Sequence, residues 1–299
     1  MPSTKQLQYF VALTETLHFG RAAEVSFVSQ SAFSNAIKTL ESTLQTQLVD
    51  RTKRQVTITA TGQRVATQAR LVLRDLGDLV EIAAGDAEPL SGELRLGVIP
   101  TIAPFVLPRS LPKLRNQFPQ LKLLLSEDQT QRIYERLMSG ELDVLLIALP
   151  WEMRGVDVLP LYRDPFRLAC HQGTTRVDPD DYRFNRLDTD SILLLEDGHC
   201  LRDHALAACK IRNTQKVRPF AASSLLTLVE MVDADLGITF LPAMAEGSLL
   251  LRNTRVKLYP IAENSYREIG LVWRKGSSRV GDFKLLGDFL QRQGAPKGP

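Results

Sequence analysis

The chain has 299 residues, 44% of them hydrophobic and 24% charged, with a formal net charge of +3. This composition predicts two or three folded domains, and the longest apolar runs, such as residues 144–149, are too short to span a bilayer. Three cysteines and an amino terminus without a signal pattern argue against a secreted disulfide scaffold, so we expect a cytoplasmic protein without membrane contact.

Three helices are predicted at the start of the chain. Apolar residues recur at helical spacing over residues 7–17, a second helix spans residues 20–25, and a third follows Ser29, a typical N-cap residue. The apolar positions that we expect this third helix to bury are Phe33, Ile37 and Leu40. The pattern predicts a helix-turn-helix, whose exposed face fits the major groove of DNA.

Polar and basic side chains on this exposed face are candidates for contacts with base edges and phosphates. On the third helix they are Gln30, Ser31, Ser34, Asn35 and Lys38. A basic cluster of Arg51, Lys53 and Arg54 leads into a β-like run at residues 55–59. We expect this part to form a wing on the phosphate backbone. A surface helix without DNA contact is the simpler alternative.

Residues 59 to about 87 are predicted to form one long helix with an apolar stripe. The stripe consists of Val65, Ala69, Val72, Leu76, Leu79, Val80 and Ala83. So small a domain cannot easily bury this stripe, and a dimer would. Helix breakers over residues 85–92 predict a boundary. We therefore assign residues 1–60 to a winged helix-turn-helix domain, 61–90 to a linker and dimerisation helix with a hinge, and 91–299 to an effector domain.

Strands and helices alternate in the effector domain, which predicts an α/β fold with a parallel sheet. Strands are predicted at residues 94–99, 121–126, 144–149 and 269–273, and helices at 104–117, 131–139 and 281–291. Similar strand-like and helical patterns continue through residues 192–195, 223–234 and 238–241. Cys170 ends a further apolar strand, and we expect it to be a core residue.

His199 and Cys200 stand side by side, and Cys209 follows nine residues later. Gly198 precedes a predicted helix at residues 201–210, so the Cys200 sulfur would lie near the positive end of a helix dipole. There His199 would help to stabilise its thiolate. In that helix the two sulfurs would be roughly 13 Å apart along the axis, which is beyond the reach of a disulfide. Disulfide formation would therefore unravel the helix, as a two-state redox switch requires.

Other interpretations of these residues stay open. Two buried, inert cysteines are the simplest one. A zinc site would use Cys200, His204 and Cys209, with or without His199, although their spacing on a helix disfavours it. A thiol peroxidase would use the same sulfur chemistry with many turnovers. The sequence has no catalytic triad, glycine-rich phosphate loop or paired-carboxylate motif, so we expect neither an enzyme nor a cofactor.

Five segments along the chain resemble the LysR-type transcriptional regulators. They are residues 19–24, 28–34, 37–41, 50–51 and 59–62. The resemblance implies a winged helix-turn-helix, a linker helix and a two-lobed effector domain similar to periplasmic binding proteins. It places the first lobe at about 91–163 and 268–299 and the second at about 164–267, with two chain crossings between them.

Residues 194–203, together with Cys209, resemble the hydrogen-peroxide sensors of that family. This resemblance implies that peroxide oxidises Cys200 and that Cys209 then forms a disulfide with it. It also implies a pocket whose polar groups stabilise charge on the departing oxygen. The pocket residues are Thr101, Thr130, His199 and Arg267. The two threonines could instead be helix N-caps. At position 204 this chain has histidine where these sensors commonly have glutamine.

The residues and the resemblance together predict a homodimeric or homotetrameric regulator. Its partners would be double-stranded DNA, hydrogen peroxide, RNA polymerase and a thiol reductant. A LysR-type regulator that binds a small organic effector between its lobes is the alternative.

Overall fold

A computed structural model describes residues 1–51, 56–83, 88–179, 181–182, 187–208, 217, 222–261 and 265–294. The chain divides into two compact units. The first consists of Met1–Ala87 with Met138–Leu142, and the second of Glu88–Leu137 with Asp143–Pro299. None of the described helices combines the length and the apolar character needed to cross a membrane.

The first unit begins with three helices around a small apolar core. They are α1 (Thr4–Thr16), α2 (Phe19–Val25) and α3 (Gln30–Leu44). The Ser29 hydroxyl accepts a hydrogen bond from the Ala32 amide at the start of α3, which confirms the predicted N-cap. Phe33, Ile37 and Leu40 are fully buried in one cluster with residues of α1 and α2. The predicted helix-turn-helix core is thus confirmed.

A short antiparallel pair follows α3 and leads into one long helix. The elements are β1 (Val49–Arg51), β2 (Val56–Ile58) and α4 (Ala60–Ala83). Gly62 allows the start of α4 to pack closely, because a Cβ there would clash with the Leu48 carbonyl oxygen. The predicted long helix is confirmed over its described part. Lys53 and Arg54 of the predicted wing lie outside the described residues, and so does the side chain of Arg51.

The second unit is built around a seven-stranded sheet. Its strands are β3 (Gly92–Val98), β4 (Leu121–Glu127), β5 (Val144–Leu149), β6 (Val156–His171), β7 (Thr239–Pro242), β8 (Val256–Pro260) and β9 (Tyr266–Arg274). Its helices are α5 (Ala103–Gln117), α6 (Thr130–Met138), α7 (Cys200–Ala208), α8 (Leu225–Asp233) and α9 (Val280–Gly294). The strand order is β4-β3-β5-β9-β6-β7, and β8 also pairs with β6.

Only part of this sheet is parallel, which corrects the prediction of a parallel sheet. β3 pairs in parallel with β4 and β5, whereas β9 is antiparallel to both β5 and β6. Alternation of strands and helices predicts parallel pairing between successive strands, and β9 is inserted from far along the chain. The predicted element at residues 192–195 forms isolated parallel bridges at Ile192 and Leu195 rather than a regular strand.

β6 is a 16-residue strand that changes partners along its length. Over residues 156–165 it pairs with β9, and from Phe166 onward it pairs with β7 and β8. Asp164 stands just before this change and lies opposite Arg267 on β9. The predicted lobe boundaries fall at the same two positions, and they stay a prediction.

The apolar stripe of α4 is largely exposed in the single chain. Ala69 is buried, whereas Leu79 and Val80 are 62% and 66% exposed. Large apolar side chains that face water in a row commonly mark an interaction surface. The stripe therefore remains the predicted dimer surface.

We expect Leu79→Glu to weaken self-association at least about tenfold, because burial of a leucine side chain contributes roughly 1.5–3 kcal/mol. Sedimentation velocity over a concentration series measures the dissociation constant of the full chain. Gln63→Glu is the matched control, since it adds the same charge at an exposed position on the opposite face of α4. Equal dissociation constants for the two variants would contradict the prediction.

Candidate functional site

A buried ion pair between β6 and β9 forms the centre of the candidate site. Arg267 Nε donates to Asp164 Oδ2 at 3.0 Å, and neither side chain is exposed. The backbone amide of Met244, in a 3₁₀ turn after β7, donates to Asp164 Oδ1 at 3.1 Å. Both carboxylate oxygens are therefore hydrogen-bonded, and the guanidinium is held in one orientation.

The other nitrogens of Arg267 hold the loop before α5. Nη1 donates to Thr101 Oγ1 at 3.0 Å, and Nη2 donates to the Thr101 carbonyl oxygen at 2.8 Å. Nη2 also lies 3.5 Å from the Met244 sulfur. The N-cap of α5 is Ile102, so the alternative interpretation of Thr101 as a helix cap is wrong.

Cys200 is the first residue of α7 and is 6% exposed. Burial raises the pKa of its thiol, while the neighbouring Thr130 hydroxyl and the charge of Arg267 lower that pKa by stabilising the thiolate. Burial is the largest of these effects, so the resting form at neutral pH is the thiol. This direction is opposite to the stabilised thiolate that the sequence predicts, because the thiolate loses its solvation on burial.

Thr130 brings a hydroxyl to this sulfur. It is the first residue of α6 and is 2% exposed, and among the described residues its Oγ1 has no hydrogen-bond partner. The interpretation of Thr130 as a side-chain cap is therefore also wrong. Buried hydroxyls nearly always have a partner. Besides its interaction with the Cys200 sulfur, which lowers the pKa of that thiol, its bonding capacity is available to a small polar ligand.

The turn before Cys200 approaches α6 closely at Gly198. This residue has a φ of 95°, and a Cβ there would lie 2.9 Å from the Gln129 side-chain oxygen. Glycine satisfies both constraints. His199 is 8% exposed, but none of the hydrogen bonds in the described chain joins its ring to Cys200. The predicted role of His199 stays a prediction.

His204 lies one turn after Cys200 on the same side of α7. Its Nε2 is 2.9 Å from the Pro150 carbonyl oxygen, which only accepts, so Nε2 carries the proton and donates. Its Nδ1 is buried and has no partner among the described residues. Burial lowers the pKa of this ring, and the hydrogen bond to Pro150 opposes that effect only in part, so the ring is neutral at pH 7.

The structure describes two of the three cysteines, Cys170 and Cys200. Cys209 lies outside the described residues, and the predicted disulfide and the predicted distance between its sulfur and that of Cys200 stay predictions. Cys170 is fully buried, burial raises the pKa of its thiol to about 11, and its prediction as a core residue is confirmed. Within the described part of the chain, no three His, Cys, Asp or Glu side chains are placed to hold a metal ion.

Two residues of this site were not predicted from the sequence, Asp164 and Met244. Nothing in the segment around Asp164 marks it as buried. The one available signal was indirect, because a buried arginine such as Arg267 needs a counter-charge. Met244 takes part through its backbone amide as well as its sulfur, and a backbone contact leaves no trace in residue type.

The predicted DNA-facing side of α3 is open to solvent. Gln30, Ser31, Asn35 and Lys38 are exposed, and Ser34 is half-buried. The opposite face of the helix forms the core of the unit. The exposed side chains among them are accessible to DNA, and the individual roles of all five stay predictions.

Comparison with known proteins places this architecture in a family. The family model described as "Bacterial regulatory helix-turn-helix protein, lysR family" matches residues 4–63, and the model described as "LysR substrate binding domain" matches residues 87–295. A helix-turn-helix unit followed by an effector-type α/β unit defines a DNA-binding transcriptional regulator. The chain belongs to the LysR family. Its members are oligomeric regulators rather than enzymes, which confirms the predicted class.

Two relatives and one solved structure show which members of the family this chain is similar to. The transcriptional regulator EstR of Acinetobacter baylyi is 41% identical over 98% of this chain and 97% of its own length. The dual regulator OxyR of Escherichia coli K12 is 38% identical over 96% and 94%. A cysteine-to-aspartate variant of full-length OxyR from Pseudomonas aeruginosa has a solved structure with 30% identity, a TM-score of 0.80 and 99% coverage of both chains. The resemblance to OxyR is confirmed, and EstR is similar as well.

We expect Asp164→Asn to lower the free energy of unfolding by about 3 kcal/mol, because it leaves the Arg267 charge buried without its counter-ion. Urea unfolding followed by circular dichroism measures the change. The control is Glu93→Gln, which removes a partly exposed carboxylate that pairs with Arg95 and Lys122. Surface pairs of this kind contribute up to about 1 kcal/mol. Equal losses in the two variants would show that the buried pair is not special.

Proposed function

We propose that this LysR-family regulator senses hydrogen peroxide through oxidation of Cys200 and a subsequent disulfide with Cys209. One observation carries the proposal: the buried Cys200 thiol lies beside the Thr130 hydroxyl and within the electrostatic reach of Arg267. Similarity to OxyR supports it.

The first step is attack of the Cys200 sulfur on one peroxide oxygen. A sulfur–oxygen bond forms, the oxygen–oxygen bond breaks, and the departing hydroxide leaves as water after it takes up a proton. Cys200 becomes a sulfenic acid. Arg267 and the hydroxyls of Thr101 and Thr130 stabilise the charge that develops on the departing oxygen, and His199 completes the pocket.

The second step joins the two sulfurs and changes the structure. The Cys209 thiol loses its proton as its sulfur attacks the sulfenic sulfur, a sulfur–sulfur bond forms, the sulfur–oxygen bond breaks, and the departing hydroxide takes up that proton and leaves as water. Residues nine positions apart on a regular helix are too distant for a disulfide. Because α7 extends over Cys200–Ala208 in the structure described here, the disulfide requires this helix to unfold. A thiol reductant reverses the reaction.

The output is a change in how the subunits of a dimer or tetramer present α3 to DNA. In this proposal the wing residues Arg51, Lys53 and Arg54 contact phosphates, and the exposed side chains of α3 read the major groove. Residues 1–60, 61–90 and 91–299 then serve as the DNA-binding, linker and effector parts. The regulator acts on RNA polymerase in the cytoplasm.

We expect about one equivalent of hydrogen peroxide to convert Cys200 and Cys209 into a disulfide, as measured by mass spectrometry of mapped peptides. Thr130→Val should slow the loss of the Cys200 thiol about tenfold, because it removes one hydrogen bond to the reacting atoms. Cys170→Ala is the control, and its rate should equal that of the unchanged chain.

Two results would overturn this proposal. One is a Cys200 thiol that does not react, and the other is a disulfide that forms without any change in DNA binding. A regulator that binds a small organic effector would then be favoured, and EstR would be the more instructive relative.

We expect Lys38→Ala to weaken binding to a non-specific DNA duplex and to reduce the slope of log K against log salt by about one, because one phosphate contact is lost. Fluorescence anisotropy over a salt series measures both quantities. The rate of Cys200 oxidation should not change. Lys5→Ala, an exposed lysine on α1, is the control for loss of charge alone. The same slope for the two variants would argue against a phosphate contact by Lys38.

A further inference from the structure

The reaction proposed above requires the Cys200 thiol to lose its proton. Burial raises the pKa of that thiol, so only a small fraction of it is thiolate at neutral pH. The His199 ring makes no hydrogen bond to it in the described part of the chain. A further proton acceptor in the site would speed the reaction of this chain at neutral pH.

His204 has the chemistry of such an acceptor. The Pro150 carbonyl oxygen fixes the proton of the ring on Nε2, which leaves Nδ1 with a free lone pair. That Nδ1 is buried and has no partner among the described residues. Side chains four residues apart on a helix have their Cβ atoms about 5–6 Å apart, so His204 lies beside Cys200. A buried acceptor without a partner is costly unless function uses it.

We propose that His204 Nδ1 accepts the proton of the Cys200 thiol when that thiol reacts with peroxide. This inference rests on the proposed function. In the part of the chain that the structure describes, no direct hydrogen bond joins His204 to Cys200, so the proton passes through an oxygen atom between them, either a water or the peroxide itself.

Protons and electrons balance in this step. The proton leaves Sγ for Nδ1 while the sulfur–oxygen bond forms and the oxygen–oxygen bond of the peroxide breaks. The departing hydroxide then takes the proton from the imidazolium and leaves as water. Sulfur is oxidised to the sulfenic acid, the peroxide is reduced, and the His204 ring returns to its neutral form.

The charges around His204 favour a ring that is neutral at rest. Arg267, on the strand β9 against which α7 packs, lowers the pKa of the ring in addition to the larger effect of burial. Asp203 on the same helix acts in the opposite direction. Because the pKa of His204 lies below its ordinary value, the acceptor is available throughout the neutral range. It holds the proton only while the peroxide bond breaks.

The test is the pH dependence of the first oxidation step, measured in Cys209→Ser chains so that the sulfenic acid accumulates. Sulfenic acid is trapped with dimedone and counted by mass spectrometry. His204→Gln is the informative variant, because its amide can still donate to the Pro150 carbonyl oxygen but cannot accept a proton. His204→Leu removes both capacities. His171→Gln is the control, at the end of β6, where the ring accepts a hydrogen bond from the Gly173 amide.

We expect the chain with His204 to react at nearly the same rate from about pH 7 to pH 9. His204→Gln should be at least about a hundredfold slower at pH 7, which is typical for loss of a general base. Its rate should then rise about tenfold per pH unit, because it follows the thiolate fraction. His171→Gln should resemble the chain with His204 in both respects.

The experiment separates a failure of the proposed function from a failure of the role of His204. A chain with His204 whose Cys200 does not react at all overturns the proposed function. A reactive chain whose His204→Gln variant has the same rate and the same pH slope overturns this inference alone. A slower His204→Gln or His204→Leu variant with an unchanged pH slope shows that His204 only positions α7, and it also overturns the role as proton acceptor.

Discussion

The ion pair between Asp164 and Arg267 is the interaction on which the arrangement of the site depends. Two charges removed from water are tolerated only when each is paired and hydrogen-bonded. Here the carboxylate also receives the Met244 amide, and the guanidinium donates to Thr101. The ion pair and its hydrogen bonds thus connect β6, β9, the loop before α5 and the turn after β7. The fixed cation it provides is the charge that acts on both Cys200 and His204.

The helical elements could be predicted from sequence because their signals are local. A serine cap at Ser29 and apolar residues at helical spacing determine α3 without reference to the rest of the chain. The sheet follows different rules, since β9 inserts between β5 and β6 from more distant sequence. Pairing direction then depends on topology, and alternation of strands and helices does not contain it. The long strand β6 was recognised only in its last residues for the same reason.

The residues of the candidate site were predicted by resemblance to a known family. Their hydrogen bonds, burial and protonation states were not predicted. Thr101 and Arg267 are 166 positions apart in sequence, yet they share two hydrogen bonds. No spacing rule connects them. The neighbouring histidine and the helix terminus favoured a thiolate at Cys200, whereas burial, which depends on the whole fold, makes the thiol the resting form. His204 was visible as a residue, and only the structure shows which of its two nitrogens is free.

The enclosure of Cys200 has a consequence for selectivity. With only 6% of the residue exposed, Cys200 is largely closed off from solvent. Hydrogen peroxide needs hardly more space than a water molecule does. Bulky organic hydroperoxides and alkylating reagents need an opening of the protein before they reach the same atom. If Cys200 is the peroxide-reactive thiol, as proposed, the size of an oxidant then limits its access to the sulfur.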